Sequence, residues 1–342
     1  MNITDGDLIL VNRLVSWLHW AVFFPVTVLT IYFFYRLRSA KRVHPNFRLV
    51  LACAAGSFIT YSASRLIIHF ILDLTQHIDE RFYINLTCAI ISTIHLITMM
   101  SSALCLNMLA VEQHLATIWV ETYEERTYRV GLILLLIVIV QSVPTGSLLN
   151  WYYTLQDYDF YKTKTTCIPI EMHWELAWLG FSISAVSCMG CSLWLIGLHK
   201  YNIARTKDRL SMKTLSARFQ QTENENSNKS IAPSIIGYMI LAFIGMFLSE
   251  VRRRIVVANG KETPASELVT RIGYMVVDCY AVYHMTCFMY FNNAMRSLVR
   301  QDIARFFGAK TADYCCSLES VHPESQALQT EAYFNQFKSA WG

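Results

Sequence analysis

The chain has 342 residues, of which 54% are hydrophobic and only 16% charged, with a mean hydropathy of +0.32. A soluble domain carries about 25% charged residues, so that class is excluded, and 13 glycines with 7 prolines are too few for a collagen-like or low-complexity chain. A net charge of +4, set against 29 basic and 25 acidic residues, leaves no footprint for nucleic acid.

An integral membrane protein remains. A spanning helix needs about 20 mostly apolar residues, and seven segments supply them in chain order: Leu14 to Tyr35, Phe47 to Leu72, Leu86 to Val111, Val130 to Asn150, Trp174 to Leu198, Ile231 to Glu250 and Leu268 to Asn292. Barrel strands would be shorter and strictly alternating. The expected class is therefore an all-α membrane protein with a seven-helix bundle. Its expected organisation is a short outer segment at 1–13, the bundle at 14–293, a juxtamembrane helix at 294–308 and a polar tail at 309–342. The first ten residues hold two aspartates and no basic residue, which argues against a cleavable signal peptide and makes the first span its own insertion signal. Asn2-Ile3-Thr4 is a glycosylation sequon on the segment that precedes it.

Lysine and arginine are retained on the cytoplasmic side. The first, third and fifth connections and the C-terminal tail carry most of them, which puts the N-terminus outside and the C-terminus inside. Arg252, Arg253 and Arg254 argue the other way, at the outer end of the sixth span. With that topology Cys88, at the outer end of the third span, and Cys167, in the second outer loop, are the two cysteines that face the oxidising side. They read as a bridge tying the loop over the bundle mouth, against the alternative of two unrelated thiols. Cys53, Cys105, Cys188, Cys191, Cys279 and Cys287 lie in spans and read as small packing residues.

Beyond the seventh span, Met295, Val299, Ile303 and Phe307 recur every four residues with Arg296, Arg300 and Arg305 between them, an amphipathic helix suited to the inner leaflet. Cys315 and Cys316 follow, either as palmitoylation sites or as a plain thiol pair. The remainder is polar.

Local motifs narrow the class. His44-Pro45-Asn46 leads into the second span and Ser64-Arg65 lies near its outer end. Ala110-Val111-Glu112-Gln113-His114-Leu115-Ala116-Thr117 closes the third span, and Thr122-Tyr123-Glu124 follows. Leu215-Ser216-Ala217-Arg218-Phe219-Gln220-Gln221-Thr222-Glu223-Asn224 precedes Pro233 and the sixth span. Together these resemble the nematode chemosensory G-protein-coupled receptors of the Sra superfamily, most closely serpentine receptor class epsilon (Sre). The resemblance implies a receptor that binds an external small molecule within the bundle and signals through a heterotrimeric G protein. It also implies a coupling surface and inner lock at Glu112, Gln113, His114, Arg218, Phe219, Gln220, Glu223 and Asn224, and residence at the plasma membrane, in the cilium of a sensory neuron. Two features depart from the pattern. Glu112-Gln113 stands where the family has Glu-Arg, and Tyr290-Phe291-Asn292-Asn293 stands where rhodopsin-like receptors have Asn-Pro-x-x-Tyr. Glutamine carries no charge and makes no ion pair.

An ionisable group inside a bilayer is costly and functional by default. Asp278 is ten residues into the seventh span, about 15 Å at 1.5 Å per residue, and Arg65 is about 10 Å deep in the second. In the receptor fold those spans are neighbours, so an Arg65–Asp278 ion pair is expected, first as a structural or switching lock and second as a ligand clamp. His95 lies two turns below Cys88 on one helix face. Receptors at large place the ligand at that depth, which makes His95 a pocket residue, with a packed core histidine as the alternative. Met99, one turn on, would line the same wall, and Tyr283 and His284 are weaker candidates. The outer segment is too short for a binding domain, so the ligand should be a small volatile or lipid-like molecule in a mostly apolar cavity.

Rival classes fare worse. No lysine falls within a span, so an opsin's Schiff base is excluded. His69, His95 and His284 differ too much in depth to hold a hydrolytic zinc, and no phosphate loop or catalytic triad spacing is present. The expectation is a non-enzyme without cofactor or metal. A seven-span ligand-gated channel, or a receptor subunit that does not couple, remains the alternative.

Overall fold

A computed structural model describes residues 5–307 apart from 42, 76, 77, 79, 80, 124–127, 158, 163–166 and 208–213. Asn2, Cys315, Cys316 and the tail from 309 onward lie outside the described residues. Among the described residues the chain is helical throughout. The helices are α1 (Asp5–Ser39), α2 (Pro45–Leu74), α3 (Arg81–Ile118), α4 (Arg129–Asp157), α5 (Pro169–Met172), α6 (Trp174–Lys207), α7 (Leu215–Asn259), α8 (Pro264–Phe291) and α9 (Asn293–Phe306).

Each long helix runs past the apolar stretch that announces it. Where an outer segment at 1–13 is expected, α1 is already helical from Asp5, because Gly6 falls in its first turn and no glycine or proline follows before Leu14. α1 to α4, α6 and α7 are long and apolar enough to cross a membrane. α8 is long enough, at about 42 Å for its 28 residues. Arg271, Asp278 and His284 interrupt its apolar run, and the last two are buried.

Local chemistry sets the ends. His44 Nδ1 accepts from the Asn46 N–H with Pro45 at the first turn of α2. Thr214 caps α7 by accepting from the Ala217 N–H, and Thr263 and Ser266 form a reciprocal capping box at α8. Gly260 closes α7 at φ 66°, the left-handed conformation that costs glycine least.

Packing follows a ring with α3 at its centre: α2, α4, α6 and α7 all touch α3, while α7, α8 and α1 close the far side. α1 turns one stripe inward, Asn12, His19, Val26 and Phe33, each buried and seven residues apart. Glycine permits the closest approaches. A Cβ on Gly146 would sit 2.9 Å from the Ile97 side chain, and one on Gly131 would sit 3.0 Å from the Asn46 backbone, so α4 meets α3 and α2 where its side chains vanish. The Gly131 N–H also donates to Asn46 Oδ1 at 3.0 Å.

Residues from Arg296 onward form a unit of their own. Its described part is the body of α9, with Ile303 and Phe306 exposed and Ala304 buried.

Candidate functional site

The Cys88–Cys167 disulfide marks one end of the bundle. It packs among Ile68 and Leu72 of α2 and Ile168, and Asn85 Nδ2 donates to the carbonyls of Phe160 and Lys162. The loop is thereby tied to α3 at two points. Asn85 itself is buried.

From that end a polar chain descends into the apolar interior. Glu171 of α5 lies 3.7 Å from Arg65 Nε, and the Arg65 guanidinium sits 3.3 Å above the Tyr274 ring. Arg65 Nη1 is 3.1 Å from His19 Nδ1. Arginine can only donate, so His19 Nδ1 accepts and Nε2 carries the proton. That nitrogen faces Asp278 Oδ2 at 2.9 Å, and the Ser62 hydroxyl donates to Asp278 Oδ1.

The expected direct Arg65–Asp278 pair is therefore corrected: an imidazole from α1 is inserted between them. α1 packs along α8 and brings the inward stripe of α1 to that depth. Sequence reasoning missed His19. The seven-residue spacing from Asn12 through His19 to Val26 and Phe33 was the available signal.

Below the chain lies a cavity of about 540 Å³ walled by α3, α4, α6, α7 and α8. Met99, Leu104, Phe181, Tyr238, Leu241 and Tyr274 are among the residues of its mostly apolar wall. Asn107 is among them, its amide donating to Ser187 Oγ at 2.6 Å. Such a wall suits a mostly apolar ligand held by one or two hydrogen bonds. A smaller polar cavity of about 310 Å³ lies toward the disulfide end and shares Arg252 and Thr270 with it.

Of the expected ligand residues, Met99 lines the large cavity and the others do not. His95 is fully buried behind Tyr61, ring on ring at 4.3 Å. Its Nδ1 lies 3.2 Å from the Tyr61 carbonyl and 3.1 Å from Ser64 Oγ. It is a packed core histidine, and the reason is Tyr61, which takes the wall in its place. Asp278 is closed off by His19 and Ser62, and Arg65 lines the polar cavity instead. Tyr283 is 41% exposed and lies over Gly237, with its hydroxyl donating to the Pro233 carbonyl. It faces outward because only the bare backbone of glycine admits the ring there. His284 is buried against Ser234, next to Tyr280.

Arg252, Arg253 and Arg254 occupy the last turns of α7. Arg252 donates to the Glu171 carbonyl and to Glu262 Oε1, while Arg253 and Arg254 both reach Glu250. Glutamates thus balance the cluster that runs against the basic-residue rule.

At the opposite end, Glu112 is buried and accepts from the Tyr123 hydroxyl at 2.5 Å and from Gln113 Nε2 at 2.8 Å. Burial pushes the Tyr123 phenol upward, and the neighbouring Glu112 adds to it. His114 meets the Trp194 ring edge-on at 4.9 Å. A ladder of amides then joins three helices. Asn224 Nδ2 donates to the Ala116 carbonyl and Gln220 Nε2 to Asn224 Oδ1. Gln221 Nε2 donates to Asn202, whose own amide donates to Thr117.

The run from Arg218 to Asn224, expected as a surface for a partner, is mostly internal. Gln220, Glu223 and Asn224 are buried, Arg218 is half-buried and Phe219 is exposed at 48%. The physical reason is the register of α7, which turns its amides toward α3 and α6. Among the described residues no group of three or more His, Cys, Asp or Glu is placed to hold a metal.

The family model described as serpentine type 7TM GPCR receptor class ab chemoreceptor matches residues 2–342. The matched class is ab and not the class epsilon to which the loop motifs pointed. No curated protein matches the chain.

Proposed function

The chain belongs to the class ab serpentine seven-transmembrane chemoreceptors, and on that premise we propose that its ligand occupies the cavity of about 540 Å³ between α3, α6, α7 and α8. It is a chemosensory receptor and a multi-pass membrane protein. The disulfide end faces outward, since a structural disulfide persists in an oxidising space, and the amide ladder faces a heterotrimeric G protein inside. The amphipathic α9 rests on the inner leaflet, with Arg296, Arg300 and Arg305 toward its headgroups. The receptor resides in the plasma membrane, in a sensory cilium.

One observation carries the ligand reading: this is a mostly apolar cavity of drug-like size, ringed by helices that must move relative to one another for a bundle to switch. Asp278 and His19 act as a lock between α1 and α8 and make no contact with the ligand.

The test is a calcium or cAMP readout in cells expressing the receptor with promiscuous G proteins, screened against small volatile and lipid-like molecules. Ala103→Trp, which fills the cavity from α3, should abolish the response while surface expression persists. A response unchanged by Ala103→Trp places the ligand elsewhere.

A further inference from the structure

We propose that the ligand enters the cavity from within the bilayer, through a gap between α4 and α6, and is an apolar molecule with one hydrogen-bonding group that meets Gln141. This rests on the cavity being the ligand site and adds the route and the chemical class.

The cavity wall includes Gln141 and Thr145 of α4 and Gly180, Ile183 and Ser184 of α6. Gln141, Thr145 and Ile183 are also exposed, Ile183 at 62%. Side chains that bound an interior space and are this open mark where a cavity opens sideways. α4 and α6 do not pack on one another as the neighbouring pairs α3 and α4, or α6 and α7, do. The space beside Gly180 is open, since a Cβ there would touch nothing within 4 Å.

Gln141 supplies the chemistry. It lies twelve residues into α4, about 18 Å from its start, which is close to the middle of the hydrocarbon. The exposed neighbours on that helix are Leu136, Ile137, Ile139 and Val140. Among the described residues none hydrogen-bonds its side chain. A primary amide without a partner in hydrocarbon is unfavourable, and a hydroxyl or carbonyl arriving through the gap relieves that cost. Across the cavity the Asn107 amide is already committed to Ser187, whereas Gln141 stands at the gap itself, positioned to orient an incoming ligand. A long-chain alcohol or similar lipid-soluble molecule fits both features.

The experiment uses the full receptor in phosphatidylcholine nanodiscs with two diazirine probes, a long-chain fatty alcohol dissolved in the bilayer and a short water-soluble analogue, with adducts mapped by mass spectrometry. The alcohol should label Met99, Met100 and Phe181 inside the cavity. Ile183→Trp and Thr145→Trp, which fill the gap from lipid-facing positions, should remove most of those adducts and leave those on the outer face of α1 at Trp17 and Leu18 unchanged. Gln141→Leu should weaken competition by a non-photoreactive alcohol by about two- to tenfold, the worth of one hydrogen bond. Cavity adducts from the water-soluble probe alone would overturn the lateral route and leave the cavity reading standing, as would alcohol adducts indifferent to both tryptophans. Labelling of Trp17 and Leu18 by the alcohol, with the cavity untouched by either probe, would overturn both.

Discussion

His19 Nε2 on α1 and Asp278 Oδ2 on α8 stand 2.9 Å apart inside the bundle, and Arg65 of α2 occupies the other nitrogen of the same imidazole. Three helices are thus joined through one ring whose tautomer is dictated by an arginine that can only donate. With Nδ1 accepting from Arg65 the imidazole is neutral, so removing either partner breaks a buried polar contact of Asp278, at about 1–3 kcal/mol. His19→Leu and Asp278→Asn should each lower the thermal midpoint in nanodiscs by several degrees and change basal signalling. The double variant should cost less than the sum, because neither partner is then left alone. Unaltered melting and unaltered basal signalling in both single variants would show that the relay holds nothing.

The disulfide closes a loop spanning 79 residues between Cys88 and Cys167. Cys88→Ser should cost about 2–4 kcal/mol, and Cys167→Ser the same, with no further loss in the double variant. Limited proteolysis should then cut first within the loop around Phe160, which Asn85 and Phe82 would still hold. Additive losses would show that the two thiols stabilise the fold separately.

The amide ladder predicts a loss at the opposite end. Asn202→Ala removes one acceptor of Gln221, whose Nε2 keeps the backbone carbonyl of residue 202, and the donor to Thr117. Each hydrogen bond lost costs about 0.5–1.5 kcal/mol. The expected result is a lower thermal midpoint and altered basal activity, while Phe219→Ala, at an exposed position, leaves the midpoint unchanged and alters coupling alone. Equal midpoints for Asn202→Ala and the natural sequence would refute the ladder's role.

Gln113 bears directly on coupling. Its amide is turned onto Glu112, which also holds Tyr123. Gln113→Arg puts a cation beside that carboxylate and should strengthen the inner lock, raising the thermal midpoint and lowering basal signalling. A fall in the midpoint would mean that the pocket around Glu112 has no room for the longer side chain.

A pH effect follows from His44, in the connection between α1 and α2. Burial, together with nearby Arg48, lowers it from 6.5 to about 4, and its Nδ1 must stay unprotonated to accept from Asn46. The folded state then binds the proton less well than the unfolded state. Stability should fall as pH drops below about 6.5 and stop falling below about 4. Thermal midpoints measured from pH 7.5 to pH 5 should slope downward, and His44→Asn should flatten the slope. An identical slope in the variant would assign the effect to another group.

The spans were legible because an apolar run of that length has no other stable fate, and Asp278 stood out because a carboxylate inside one is rare. Its partner was not legible. A histidine among tryptophans and valines looks like any other aromatic until the stripe of α1 is known to face α8. The Gln220–Asn224 run was misjudged for a related reason. Polar composition near a helix end reads as surface, and only the register against α3 and α6 shows those amides to be internal. Tyr61 displaced His95 from the wall in the same way, since residues two turns apart share a face of α3 without determining which neighbour covers it.

α7 runs unbroken for 45 residues, about 68 Å, with Pro233 inside it. About 27 Å of helix separates Pro233 from Leu215 on one side, and about 24 Å separates it from Ser249 on the cavity wall on the other. The two arms of this beam are nearly equal. A tilt of about 5° pivoting on the proline would swing each tip through roughly 2 Å in opposite directions. A displacement at the cavity therefore arrives at the far end reversed in direction and almost undiminished in size.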